Sequence, residues 1–377
     1  MQVSAASQHG LTATSLQPAG ALTVAAVQAL AAAPTPTKVV LSVQQAVVVT
    51  PPDNAVFADA GQALAMSGAV SDRSLLARAD EHGSAPCAAP ATLDRQQGAG
   101  VANVAAVLAG GMCGMGGWLQ ATGNDLSTDN TYDAQGGGFL AGLDRAVGPG
   151  RVGMAVGYDA LNLKDTASGK AFLGTVRFGI YGGLDVGHIA LSAALMDGLV
   201  NTNTTRATGS GGAQANGHGN VLAAALQLVL PVSAGGAEFR PAVGLEITRF
   251  SLSGFNEAAA AQALAVRTAA VSGVYVAPYL RLTVARGFIT AQGLEVTPSA
   301  ALGLTVNATN PGAPVGMTAQ DGTGFSAAPL QLSPVAGEAG LGLVIGRGNW
   351  RLSACYTAAL ADNWHAQSLE GGLLVKF

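Results

Sequence analysis

From about residue 112 to the C-terminus, apolar and polar residues alternate with a period of two, the signature of extended strands whose two faces meet different surroundings. In RVGMAVGYDA, Val152, Met154, Val156 and Tyr158 share one face, and Arg151, Gly153, Ala155, Gly157 and Asp159 share the other. The pattern recurs in FLGTVRFGIYGGL, where Phe172, Val176, Phe178, Ile180 and Leu184 oppose Thr175, Arg177, Gly179 and Tyr181. It recurs again in EFRPAVGLEITRF, with Phe239, Val243, Leu245 and Ile247 against Arg240, Gly244, Glu246 and Thr248. NWRLSACYT sets Trp350, Leu352, Ala354 and Tyr356 against Arg351, Ser353, Cys355 and Thr357. Tight-turn signals at 148–150, 184–187, 233–236, 346–349 and 361–363 separate these runs, and longer polar connections at 201–219 and 307–324 separate others. The runs amount to roughly twelve strands, an even number that suits a closed antiparallel barrel.

Upstream the period is helical. Within residues 54–81, Val56, Phe57, Ala60, Ala63 and Leu64 fall on one face, Asp53 or Asn54 can cap the start, and Gly83 can end the helix. Leu75 and Leu76 resume the stripe after a break expected at Gly68. A weaker helical segment covers 99–110. Residues 1–52 read as a linker or the remnant of a longer segment, with one possible strand at 38–49. The expected organisation is therefore a linker at 1–52, a helical region at 53–111 and a barrel at 112–377.

Charge decides which solvent the apolar face meets. Hydrophobic residues make up 49% of the chain and mean hydropathy is +0.36, yet charged residues are only 11%. A water-soluble domain carries about a quarter charged residues, most of them outside. Here the polar faces offer Gly, Ser, Thr and Ala, with single charges at Arg151, Arg177, Glu246, Arg281, Glu338 and Arg351. Sparse charges of both signs suit a confined lumen where they can pair, with the apolar face turned to lipid. Roughly ten to sixteen residues per strand also exceeds the usual length in soluble sheets. The chain then ends on SLEGGLLVKF, with Leu373, Val375 and Phe377 facing lipid and Glu370, Gly372, Leu374 and Lys376 facing the lumen. A terminal strand that closes a barrel in lipid needs no polar tail, and an aromatic last residue belongs at the membrane interface.

Residues 112–377 resemble the C-terminal translocator domain of bacterial autotransporters, the type V secretion proteins of Gram-negative outer membranes. The resemblance rests on WLQATGNDLSTDNTYDAQGGGFLAGLDRAVGPGRVGMAVGYDALNL, on FRPAVGLEITRFSLSGF and on the ending LEGGLLVKF. It implies an all-β transmembrane barrel of twelve strands in the outer membrane, its pore threaded by an α-helix that leads from an exported passenger, here expected at 54–81. It also implies that Glu370, Gly372, Val375 and Phe377 form the C-terminal signal read by the outer-membrane β-barrel assembly machinery. Members carry a signal peptide and a long repetitive passenger; neither pattern is present in residues 1–50, where the first basic residue is Lys38, so a truncated or mis-started chain is expected. Members that cleave themselves by Asn cyclisation use an Asn-Asn pair, whereas Asn54 and Asn103 are single, and no self-cleavage is expected.

Other chemistries find little footing. The net charge of −4 leaves no electrostatic footprint for nucleic acid. Cys87, Cys113 and Cys355 are too widely spaced for a zinc or redox motif, and His9, His82, His188, His218 and His365 lack ligand spacing. Asp125, Asp129 and Asp133 cluster in one hairpin but lack the glycine and glutamate placement of a calcium loop. GLGLVIGRG spaces its glycines wrongly for a dinucleotide fingerprint, and no catalytic signature appears. The expectation is a non-enzymatic translocator without metal or cofactor, with lipid, the assembly machinery and its own passenger as partners. The competing reading is a porin-like channel for small solutes with an open lumen.

Overall fold

The computed structural model describes residues 13–15, 48–49, 54–80, 115–129, 131–208, 211–259 and 264–377. Among these residues one helix, α1 (Val56–Ala79), precedes twelve long strands. These are β1 (Met115–Thr128), β2 (Tyr132–Val147), β3 (Gly150–Asp165), β4 (Lys170–Val186), β5 (Ile189–Thr208), β6 (Gly211–Val229), β7 (Ala237–Leu252), β8 (Val271–Ala285), β9 (Glu295–Val306), β10 (Val335–Arg347), β11 (Trp350–Leu360) and β12 (Trp364–Lys376). Each pairs antiparallel with its neighbour in sequence. β12 then pairs with β1 from Trp364 opposite Thr128 to Lys376 opposite Gly116, which shuts the barrel. Closure removes every free edge, so the backbone can lie in hydrocarbon without unpaired groups. Near the N-terminus, Ala13–Ser15 pairs with Val48–Val49.

The alternation translates into two surfaces. Met154 is 65% exposed, Leu302 68% and Leu341 65%, whereas Glu246 and Arg206 on the inner face are 0% exposed. The aliphatic belt is flanked by aromatics, Phe239, Phe288 and Phe377 at one end and Phe172 at the other, as expected where lipid meets water. Tight turns mark the first end; Gly148 and Gly348 occupy them with φ of +56° and +61°, the left-handed region that residues with a Cβ avoid. The two longest connections, 253–270 and 307–334, lie at the other end. Short turns face the periplasm and long loops face outward in barrels of this kind, which sets the orientation.

Those loops are less irregular than their polar composition suggests. Val266–Thr268, Val315–Ala319 and Gly324–Ala327 form a small antiparallel sheet of their own. Val266, Val315, Met317 and Ala327 are buried in one cluster with Val56 and Phe57, so the cap exists because it has the first turn of α1 to pack on.

Two details of the helix differ from the sequence reading. α1 is continuous through Gly68, because that glycine faces the wall: a Cβ there would stand 2.8 Å from Thr248 Cγ2. Its start is capped by neither Asn54 nor any other side chain; Ala55 holds the N-cap position and its carbonyl accepts from the Ala58 and Asp59 amides. The clamp on the first turn replaces the cap. Gly83, Asp53 and the segment 99–110 lie outside the described residues, as does most of 38–49.

The lipid assignment predicts that Leu302→Arg, in the middle of the exposed belt, lowers barrel stability in vesicles by about 2–4 kcal/mol, and that Thr205→Arg, beyond the belt, lowers it by about 1 kcal/mol or less. Urea unfolding of the two variants checks this; equal losses would defeat the assignment.

Candidate functional site

The lumen is filled by α1, which is apolar or small on most of its circumference and buried along its length. Ala, Gly and Ser keep the cylinder thin enough to pass inside twelve strands. Gly183 shows how close the fit is: a Cβ there would stand 2.3 Å from the Ala79 carbonyl oxygen, a backbone atom that cannot move aside.

Polar contacts occur in three tiers. At the loop end, Gln62 donates to the Leu330 carbonyl at 2.8 Å and accepts from Tyr132 Oη at 2.9 Å, and the Phe57 and Phe255 rings meet edge to face at 5.1 Å. Beside them, Arg206 and Glu257 form an ion pair at 2.5 Å with both side chains buried, and Arg206 also donates to the Leu264 carbonyl at 2.8 Å. This pair ties β5 to the cap rather than to the helix.

In the middle tier, Arg73 of α1 reaches two strands at once. It donates through Nε and Nη2 to Glu246 on β7, the latter at 3.0 Å, and through Nη1 to Glu338 on β10 at 2.9 Å. Arg281 on β8 donates to the second oxygen of Glu338 at 2.8 Å, and Thr305 donates to the first at 2.7 Å. On the opposite wall, Arg177 donates to Asp159 and, at 3.1 Å, to Ser67 of the helix; Ser67 donates to Asp159 at 3.2 Å.

At the turn end, Arg78 forks onto Asp144 with bonds of 2.6 and 3.0 Å. Asp144 also accepts from Tyr181 Oη at 2.8 Å and lies 3.6 Å from Arg151, while Trp118 Nε1 donates to Tyr181 Oη at 2.6 Å. Arg240 on β7 pairs with Asp80 just past the helix. Planar guanidinium forks on carboxylates, taken out of water, fix orientation as well as adding energy. Asp59 and Asp72 are among the exceptions: both oxygens of each are buried and have no hydrogen bond among the described residues. An unpaired buried carboxylate costs free energy.

Of the lumenal charges expected from sequence, five lie in these tiers. Arg351 instead sits at the turn-end rim, 3.8 Å from Glu295. Sequence reasoning missed the helix's own Arg73 and Arg78, since isolated arginines on a helix read as a solvated face; their depth inside an apolar, small-residue helix was the available signal. In the terminal strand, Glu370 accepts from Gln120 at 2.6 Å inside the lumen, Phe377 is exposed, its amide donating to the Met115 carbonyl across the seam at 3.0 Å, and Gly372 leaves room for Ser353. Among the described residues no group of His, Cys, Asp and Glu could hold a metal ion.

The chain that folds into this closed barrel around a helix, each strand alternating between lipid and lumen, matches a known family along most of its length: the autotransporter beta-domain, over residues 114–357. The chain belongs to that family. The match ends before Glu370. Among solved structures, this autotransporter barrel is similar to the translocator domain of autotransporter NalP from Neisseria meningitidis, with 14% identity, 86% of this chain and 100% of that chain covered, and a TM-score of 0.65. It is also similar to the beta domain of the Bordetella autotransporter BrkA, with 21% identity, 70% and 100% coverage, and a TM-score of 0.50. No curated protein matches the chain. The molecule is thus an outer-membrane autotransporter translocator of the Gram-negative type, a secretion fold rather than a known enzyme family.

Arg73 offers the sharpest test of the lumen. Arg73→Met strands Glu246 and half of Glu338 and lowers unfolding free energy in detergent by about 3 kcal/mol. Arg351→Met, at the solvated rim, changes it by less than about 1 kcal/mol. Thermal or urea melts compare the two; equal effects would show that the helix is not held by its ion pairs.

Proposed function

We propose that the barrel exports whatever chain precedes residue 54 and then keeps α1 in the lumen as plug and anchor, with no catalysis. The supporting observation is direction. α1 runs from the loop end, where Phe57 meets Phe255, to the turn end, where Ala79 meets Gly183 and where Met115 and Phe377 also lie. Residue 54 therefore stands at the outer mouth, and the barrel follows from the periplasmic side, as an exported passenger requires. Residues 1–52 act as the linker to or remnant of that passenger, 53–111 as the pore region and 112–377 as the translocator. Arg151, Arg177, Glu246, Arg281 and Glu338 grip or frame the helix, and Arg351 braces the rim. Glu370, Gly372, Val375 and Phe377 serve as the recognition signal for the outer-membrane assembly machinery, and the exposed belt takes outer-membrane lipid.

In planar bilayers the full chain is expected to conduct weakly, and removal of residues 1–100 to open a large, stable conductance. The same large conductance from both would support a porin-like channel instead. For the terminal signal, Phe377→Ala is expected to reduce assembled barrel in cells several-fold while leaving refolding in detergent unchanged; parallel losses in both would mean that Phe377 acts only through packing.

A further inference from the structure

Asp197 on β5 points outward within the apolar belt, and its four outward neighbours are all apolar and exposed. Leu195 and Leu199 flank it along the strand, Phe178 stands across from it on β4, and Leu222 stands across from it on β6. A carboxylate in hydrocarbon is costly unless a cation meets it. Arg249 on β7 stands across from Leu222 on one side and from Val274 on the other, both exposed, and it follows Ile247 along its strand. Asp197, Leu222 and Arg249 therefore form one cross-strand row, with the acid and the base on either side of the leucine. Asp197 and Arg249 are both exposed, and no ion pair or hydrogen bond engages either among the described residues. Lys170, also exposed, stands across from Thr205 and so lies much nearer the loops. Beside Asp197 the outer wall is hollow, lined by Phe178, Ile180, Leu195 and Met154.

We propose that this row is the contact between two copies of the barrel in the membrane, related by a twofold axis along the membrane normal. A row that reads acid, leucine, base is self-complementary about such an axis. Leu222 lies against Leu222 of the partner subunit, and each Asp197 faces the partner's Arg249, so one interface holds two ion pairs. Two strand spacings of about 4.8 Å put the acid and the base of one chain about 10 Å apart. Strand tilt turns about 6 Å of that separation into height, which an extended arginine spans while the leucines touch. The hollow beside Asp197 gives the incoming guanidinium room. Charge complementarity commits the face to a second copy rather than to acyl chains, because hydrocarbon leaves both charges unmatched. The axis keeps the outer mouths of the two barrels side by side on the same surface of the membrane.

The test is association of the full chain in lipid vesicles, read by energy transfer between donor-labelled and acceptor-labelled protein as lipid is added to dilute it. Wild type is expected to associate. D197R and R249D each set like charges against one another at both contacts and should associate about thirtyfold more weakly. D197N, which adds no charge to the belt, should weaken association about fivefold. An equimolar mixture of D197R and R249D places opposite charges at both contacts again and is expected to recover association close to that of wild type. A pair formed within one chain could not be repaired by mixing. All variants should keep the heat-modifiable gel mobility of a folded barrel, which reports folding separately from association. Wild-type protein that stays monomeric, single variants that associate as wild type does, or a mixture no better than its components would each overturn the proposal.

Discussion

A peptide group that leaves water for hydrocarbon must bring its hydrogen-bond partner with it, and the rest of this molecule depends on that requirement. In the barrel the requirement is met by register. Thirteen-residue β12 lies along β1 without a bulge in its pairing, so the two ends of the sheet satisfy each other over the full height of the belt. Once the wall is sealed, side-chain chemistry is free to divide: outward positions take Leu, Val, Ile and Phe, and inward positions take whatever the contents of the lumen need.

Those contents are a helix that could not stand alone in water. α1 has no side-chain cap, carries polar groups engaged by the wall and by the loops above it (Gln62, Ser67, Arg73 and Arg78), and buries aliphatic residues on nearly every side. Its stability comes from the barrel, while the barrel's inner charges are balanced by the helix: Glu246 has Arg73, and Asp144 has Arg78. Buried pairs of this kind add little net stability, yet losing one partner is costly, so they favour one seated position over neighbouring ones. Asp59 and Asp72 work against that fit.

Much of the wall was legible because strand parity is a strict code. Reading Val152, Met154 and Val156 as one face was enough to place Arg151 and Asp159 on the other, and charge scarcity told which face met lipid. The helix was legible in extent but not in detail. A glycine in an isolated helix costs stability, which is why Gly68 reads as a break; against Thr248 the same residue is what allows contact. The cap over the mouth was hidden for a related reason. Val266 sits in a different polar connection from Val315 and Met317, and their shared purpose appears only when Phe57 is brought beneath them. Arg206 was hidden because 201–219 reads as a polar connection, whereas residues 201–208 continue the alternation of β5, and Glu257 in the loop above had no periodic pattern to reveal it.

The seam between β1 and β12 also sets what a partly closed wall must look like. Without β12 the sheet has two open edges, one along β1 and one along β11, and neither can enter hydrocarbon with its backbone groups unpaired. The stretch that ends at Phe377 is thus the one on which the whole wall waits before it can stand in lipid.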